Sequence, residues 1–204
     1  MKRLGLTILL CSCMVCGVVP ANATTITYQA LLSGSAESPP NASPGTGFAT
    51  VIVDDLAHTM EVKVSFSGLL GTTTAAHIHC CTASAGTGTA GAATTVPTFA
   101  SFPLGVTSGS YDNPLDMTLA SSWNPAFITA NGGTTSGAEA ALFAGLAAGK
   151  AYLNIHTNLY PGGEIRGFLS TTPLPAALPL FASGLGALGL LGWRRKRKVA
   201  VFAA

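Results

Sequence analysis

Charge is scarce in this chain, and most of its positive charge lies at the two ends, outside the middle. Asp, Glu, Lys and Arg make up 9% of the 204 residues. Lys2 and Arg3 open the chain, and Arg194, Arg195, Lys196, Arg197 and Lys198 stand near its close. Between them only Lys63, Lys150 and Arg166 face eight acids, three cations against eight anions, a net of −5 behind a formal whole-chain charge of +2. With no basic stripe to meet phosphates, no nucleic-acid partner is expected.

Cysteine is equally thin. Cys11, Cys13 and Cys16 fall in the N-terminal apolar run, which leaves the adjacent pair Cys80 and Cys81. Two neighbouring cysteines make no disulfide framework. They can close on each other, hold a metal as thiolates or join two chains, and the sequence does not choose. Also missing are a phosphate loop, a nucleophile elbow and a paired-carboxylate signature, so no catalytic residue is assigned and an enzyme is not expected.

Both ends read as addresses. Met1-Lys-Arg3, the apolar run Leu4 to Val19 and the small-residue box Ala21-Asn22-Ala23 make a secretory signal over residues 1–23, with the mature chain starting at Thr24. At the other end stand Thr172-Pro173-Leu174-Pro175-Ala176, an apolar segment over about 176–193 of bilayer length, and the five cations 194–198 that resist crossing a membrane. Residues 199–204 form a short tail. The same segment also suits a plain stop-transfer anchor.

Roughly 150 residues remain between the two ends, enough for one domain with a core. Met60, Val62, Val64 and Phe66 alternate with Glu61, Lys63 and Ser65, the period of a half-buried strand. Ile26 to Leu32, Thr50 to Val53, Ala75 to Cys80, Leu115 to Leu119, Ala151 to His156 and Glu164 to Leu169 read as further short strands. Turn signals separate them, which predicts an all-β, antiparallel, immunoglobulin-like or Greek-key sandwich or barrel. One short helix is expected, with Ser136 to Glu139 as a capping box, Leu142, Phe143 and Leu146 as its apolar face and Gly149 as its stop. His58 is expected as a solvated loop residue. The Gly, Ala, Thr and Ser-rich stretch 82–110 reads as a long surface excursion, partly disordered.

Two strands carry histidines. In Ala75-Ala-His-Ile-His79, His77 and His79 share one face, and in Ala151-Tyr-Leu-Asn-Ile-His156, Tyr152, Asn154 and His156 do the same. If these strands are neighbours, His77, His79 and His156 are candidate ligands for one zinc or copper ion, and a continued strand puts Cys81 on the same face as a fourth. The other reading is three wet-face histidines with ordinary hydrogen bonds. Glu164 and Arg166, also spaced by two, are expected to make structural charge contacts on their sheet face.

These elements also carry a resemblance. Tyr28-Gln-Ala-Leu-Leu-Ser-Gly34, Glu37-Ser-Pro-Pro40, Phe66-Ser-Gly-Leu69, Ala76-His-Ile-His79, Asn154-Ile-His156 and Pro161-Gly-Gly-Glu-Ile-Arg-Gly167 look like the chordin (CHRD) domain of secreted bacterial proteins. That implies an immunoglobulin-like or barrel-like β-domain and no particular activity. The C-terminus resembles the PEP-CTERM sorting signals in their Val-Pro-Leu-Pro-Ala form, with Thr172 in place of the valine. This resemblance implies secretion machinery and an exosortase-like processing enzyme as partners, at least transient inner-membrane anchoring, and delivery to the envelope or an exopolysaccharide-rich exterior. The function so implied is adhesion to polysaccharide or to envelope proteins. The alternative is a metal-binding extracytoplasmic protein or metalloenzyme. Gly68-Leu-Leu-Gly71 and His77-Ile-His79 are similar to the approach to the copper ligands in Cu,Zn superoxide dismutases, but the further histidines and acidic zinc ligand of that enzyme are not evident.

Overall fold

The computed structural model describes residues 25–171. The expected signal peptide, the sorting motif, the apolar span and the cationic block lie outside the described residues. Among those described, no helix is long and apolar enough to cross a membrane.

Alternating sequence builds the first half. β1 (Thr25–Ser33), β2 (Thr46–Asp54) and β3 (Thr59–Ser67) form an antiparallel meander in unbroken register, Tyr28 opposite Val51 and Val51 opposite Val62. Every second side chain points inward, so Tyr28, Val51, Val53, Met60, Val62 and Val64 are buried together. β4 (Thr73–His79), β5 (Gly109–Asp116), β6 (Tyr152–Thr157), β7 (Ile165–Phe168) and β8 (Ser170–Thr171) complete one curled antiparallel sheet. Its order is β4-β6-β7-β1-β2-β3-β5, with β8 added on β1. β5 corrects the expected strand at Leu115 to Leu119, since the chain turns at Met117 and pairs with β3 upstream of it, Tyr111 opposite Val64. Pro114 within β5 is tolerated because β5 ends the strand order.

The stretch 82–110 is not a disordered excursion. Its backbone runs along the free edge of β4: Ala93 N donates to Ile78 O at 2.8 Å, Phe99 N to Ala76 O at 3.0 Å and Gly105 N to Thr73 O at 2.8 Å. On its other side Thr95 N donates to Ser122 O and Asn124 N to Ala93 O, both at 3.0 Å, so the segment ties β4 to the chain that follows β5. Its own Ala93, Thr94, Phe99 and Phe102 are buried. A few anchors and satisfied backbone groups replace the long apolar pattern that the sequence lacks.

Two helices follow β5. α1 (Pro125–Ala130) was not expected, although Asn124 caps it and Pro125 occupies its first turn, the usual start signal. α2 (Thr135–Ala147) starts earlier than expected, because Thr134 rather than Ser136 caps it and accepts from Gly137 N at 3.1 Å. Glu139 therefore closes no capping box. Its buried carboxylate meets His58 Nδ1 at 2.9 and 3.1 Å, so His58, half-exposed on the β2–β3 turn, is a latch on α2 and not a freely solvated residue. Leu142 and Leu146 pack into the core as expected, and Gly149, with φ +66, ends the helix.

Candidate metal centre

Antiparallel pairing of β4 with β6 decides where the histidines go. The register sets Ala75 opposite His156, His77 opposite Asn154 and His79 opposite Tyr152. Residues of this parity share one face, while Ala76, Ile78, Leu153 and Ile155 fill the core on the other. His77 and His156 thus become diagonal neighbours. This face is not wet: the stretch 82–110 and the turn at 158–163 cover it, leaving His77 and His156 each 8% exposed and every residue of β6 buried.

The cover also fixes the rings. His77 Nδ1 lies 3.0 Å from Pro97 O, His79 Nδ1 2.8 Å from Ala90 O and His156 Nδ1 2.9 Å from Pro161 O. A carbonyl oxygen only accepts, so each Nδ1 carries the hydrogen and each neutral ring presents its Nε2 lone pair. The three candidate nitrogens lie within 4.8 Å of one another. His77 Nε2 and His156 Nε2 are 3.1 Å apart, and His79 Nε2 is buried with no hydrogen-bond partner among the described residues. Two lone pairs facing at that distance, beside a third, form an arrangement that could hold a metal ion. For a metal at about 2.0 Å from each nitrogen the ligand atoms stand about 3.3 to 3.5 Å apart, so the His77–His156 pair is already close to one edge of such a site.

Electrostatics points the same way. Burial first, then the neighbouring His79 and His156, push His77 down to about 4. Burial pushes His79 down to about 4, against its hydrogen bond to Ala90 and with help from His156 and Arg166. Burial lowers His156 as well. Rings that resist protonation are rings ready to bind metal, and the Nδ1–H to carbonyl bonds are the outer support that metal-binding histidines use.

Around the trio stand groups that the sequence did not single out as a unit. Tyr152 stacks on His79 with ring centroids 4.7 Å apart and planes 4° from parallel. Its hydroxyl accepts from Ala90 N at 3.2 Å, and Ala90 also supplies the carbonyl that orients His79. The guanidinium of Arg166 lies 4.8 Å from the Tyr152 ring centre, and its Nε is 3.7 Å from Glu37. Glu37 Oε1 and Asn154 Oδ1, both buried, lack hydrogen-bond partners among the described residues. The orienting carbonyls carry no sequence signal, since any residue has one.

Cys81 is corrected. β4 stops at His79, and Cys80 and Cys81 close a disulfide on each other, seated against Gly145 of α2, where a Cβ would collide with both sulfurs. Neither sulfur is a thiolate ligand in this form. Glu164 and Arg166 serve different neighbourhoods. The Glu164 carboxylate accepts from Ser43 Oγ at 2.6 Å, Thr157 Oγ1 at 2.7 Å, Gly71 N at 3.0 Å and Leu70 N, and so clamps the loops beside β4. Those bonds to its charged form hold its pKa below the usual value despite burial.

The class is thereby set: a curled antiparallel β-domain with three clustered imidazoles, those of His77 and His156 buried and that of His79 half-buried, between its sheet and its loops. The CHRD domain matches residues 28–169, and the chain belongs to the CHRD family, which is typical of extracellular and secreted proteins. No curated protein and no solved structure gives a significant match.

Proposed function

We propose that the chain is an exported CHRD-domain protein that holds one copper or zinc ion on His77, His79 and His156. The supporting observation is the facing Nε2 pair of His77 and His156, 3.1 Å apart with both Nδ1 atoms committed to carbonyls. In this reading the protein handles metal and performs no reaction. The N-terminal signal engages the secretion machinery. The Pro173 to Ala176 motif and the cations 194–198 hold the protein at the inner membrane until an exosortase-like enzyme passes it to the envelope or matrix. The test is metal titration of the purified full chain against a His77→Ala, His79→Ala double variant. Wild type is expected to take one equivalent of copper or zinc and the variant none; equal binding by the two ends the proposal.

A second, adhesive reading rests on a different surface. Leu31 and Phe48 pair across β1 and β2 and are 79% and 41% exposed, an apolar patch suited to stacking on sugar rings of an exopolysaccharide or packing on an envelope protein. Replacing both by Ser should abolish retention on purified exopolysaccharide, and unchanged retention removes this reading.

A further inference from the structure

The charge balance around the three imidazoles narrows the ion they take. All three ligands are neutral rings, and among the described residues no carboxylate joins the cluster. The nearest acids are engaged elsewhere, Glu37 beside Arg166 and Glu164 by four donors. The charged side chain that acts on His79 is a cation, Arg166, which helps hold that ring unprotonated. Arg166 sits 4.8 Å from the Tyr152 ring centre and Tyr152 4.7 Å from that of His79, which places the guanidinium within about 10 Å of a ligand ring, close enough to repel a bound cation through a poorly screened interior. Nor does water reach the ligand atoms freely: His79 Nε2 is buried and the His77–His156 contact is enclosed.

In such a site the cost of removing an ion from water grows with the square of its charge, and no carboxylate in the ligand set offsets it. A divalent ion meets about four times the desolvation cost of a monovalent one, together with twice the repulsion from Arg166. Among metals that imidazole binds well, copper has a stable monovalent state, and three nitrogen donors suffice for it without a fourth ligand. We infer that the centre is a cuprous site, taking Cu(I) in preference to Zn(II) and to Cu(II), with Arg166 setting that preference from behind Tyr152. The inference rests on the metal reading above.

The experiment uses the purified full chain, loaded anaerobically with Cu(I) in competition with bicinchoninate, with parallel titrations of Zn(II) and Cu(II) against their own chelators. The expected result is one Cu(I) per chain, held at least about tenfold more tightly than either divalent ion and lost in the His77→Ala, His79→Ala variant. The Arg166→Met substitution should lower the ratio of Cu(I) to Cu(II) affinity about tenfold, a midpoint potential about 59 mV lower. Zn(II) or Cu(II) bound at the three histidines as tightly as Cu(I) overturns the inference and leaves the metal reading standing. No histidine-dependent binding of any of the three ions defeats both. The wild-type ratio decides the matter even if Arg166→Met does not fold.

Discussion

Two stretches of the same sheet carry the same alternation and end in opposite environments. On β3 the outward positions Glu61, Lys63 and Ser65 meet solvent, and Lys63 Nζ pairs with Glu61 at 2.9 Å and Asp112 at 3.3 Å on the surface. On β4 and β6 the outward positions His77, His79, Tyr152, Asn154 and His156 lie beneath the stretch 82–110 and the turn at 158–163. Period-two patterning reports which side chains share a face. What covers that face is decided by the loops that follow each strand, whose path the strand pattern does not report, and here the cover turns a row of polar residues into oriented donors in an enclosed site.

The contrast can be broken at several points. The largest effect belongs to the ligands: His156→Ala should weaken copper or zinc binding by more than about a hundredfold while Lys63→Ala leaves it unchanged, as read by chelator competition. Equal losses from the two faces would erase the distinction. Next, loading the wild type to about a hundred times its dissociation constant should add about 2.7 kcal/mol of stability, and the His77→Ala, His79→Ala variant should gain nothing. Urea unfolding with and without metal measures both.

A smaller effect concerns Glu37. Burial raises its carboxyl to about 7, against the pull of Arg166. Folded Glu37 therefore binds its proton more tightly than the unfolded chain does. Its stabilising contribution is complete below the unfolded value of about 4.5 and is lost as pH rises through about 7. Raising the pH from near 5 to near 8 should thus cost wild type more stability than Glu37→Gln, by up to a few kcal/mol. Urea midpoints of the two proteins at both pH values give the difference, in which the titration of the histidines cancels. A gap that does not widen with pH places Glu37 in a more solvated setting. Smallest of all, Lys63→Ala should leave the melting temperature within the scatter of the measurement, since its ion pairs are exposed and screened.

Much of this was legible from local pattern. Met60 to Phe66 declared their strand, and the spacing of His77 with His79 and of Tyr152 with His156 placed each set on one face. The register that brings His156 beside His77 was not, because pairing between strands some eighty residues apart leaves no trace in either one. The stretch 82–110 misled because its order comes from backbone bonds to β4 and from anchors such as Phe99 and Phe102, not from periodic apolar residues. Cys81 misled for a related reason: extending β4 by two residues assumed a strand that the Cys80–Cys81 disulfide ends. The Asn124-Pro125 start of α1 was readable and carried its usual signal.

The central claim is that all three rings hold their proton on Nδ1 and offer Nε2 to a single ion. Long-range proton–nitrogen NMR of the histidine rings in the full chain, before and after one equivalent of metal, tests it most directly. The account predicts three buried Nδ1–H tautomers in the metal-free protein and a joint shift of the Nε2 resonances of His77, His79 and His156, complete at one equivalent. Nε2–H tautomers at these positions, or Nε2 resonances that do not move when metal is added, would contradict it.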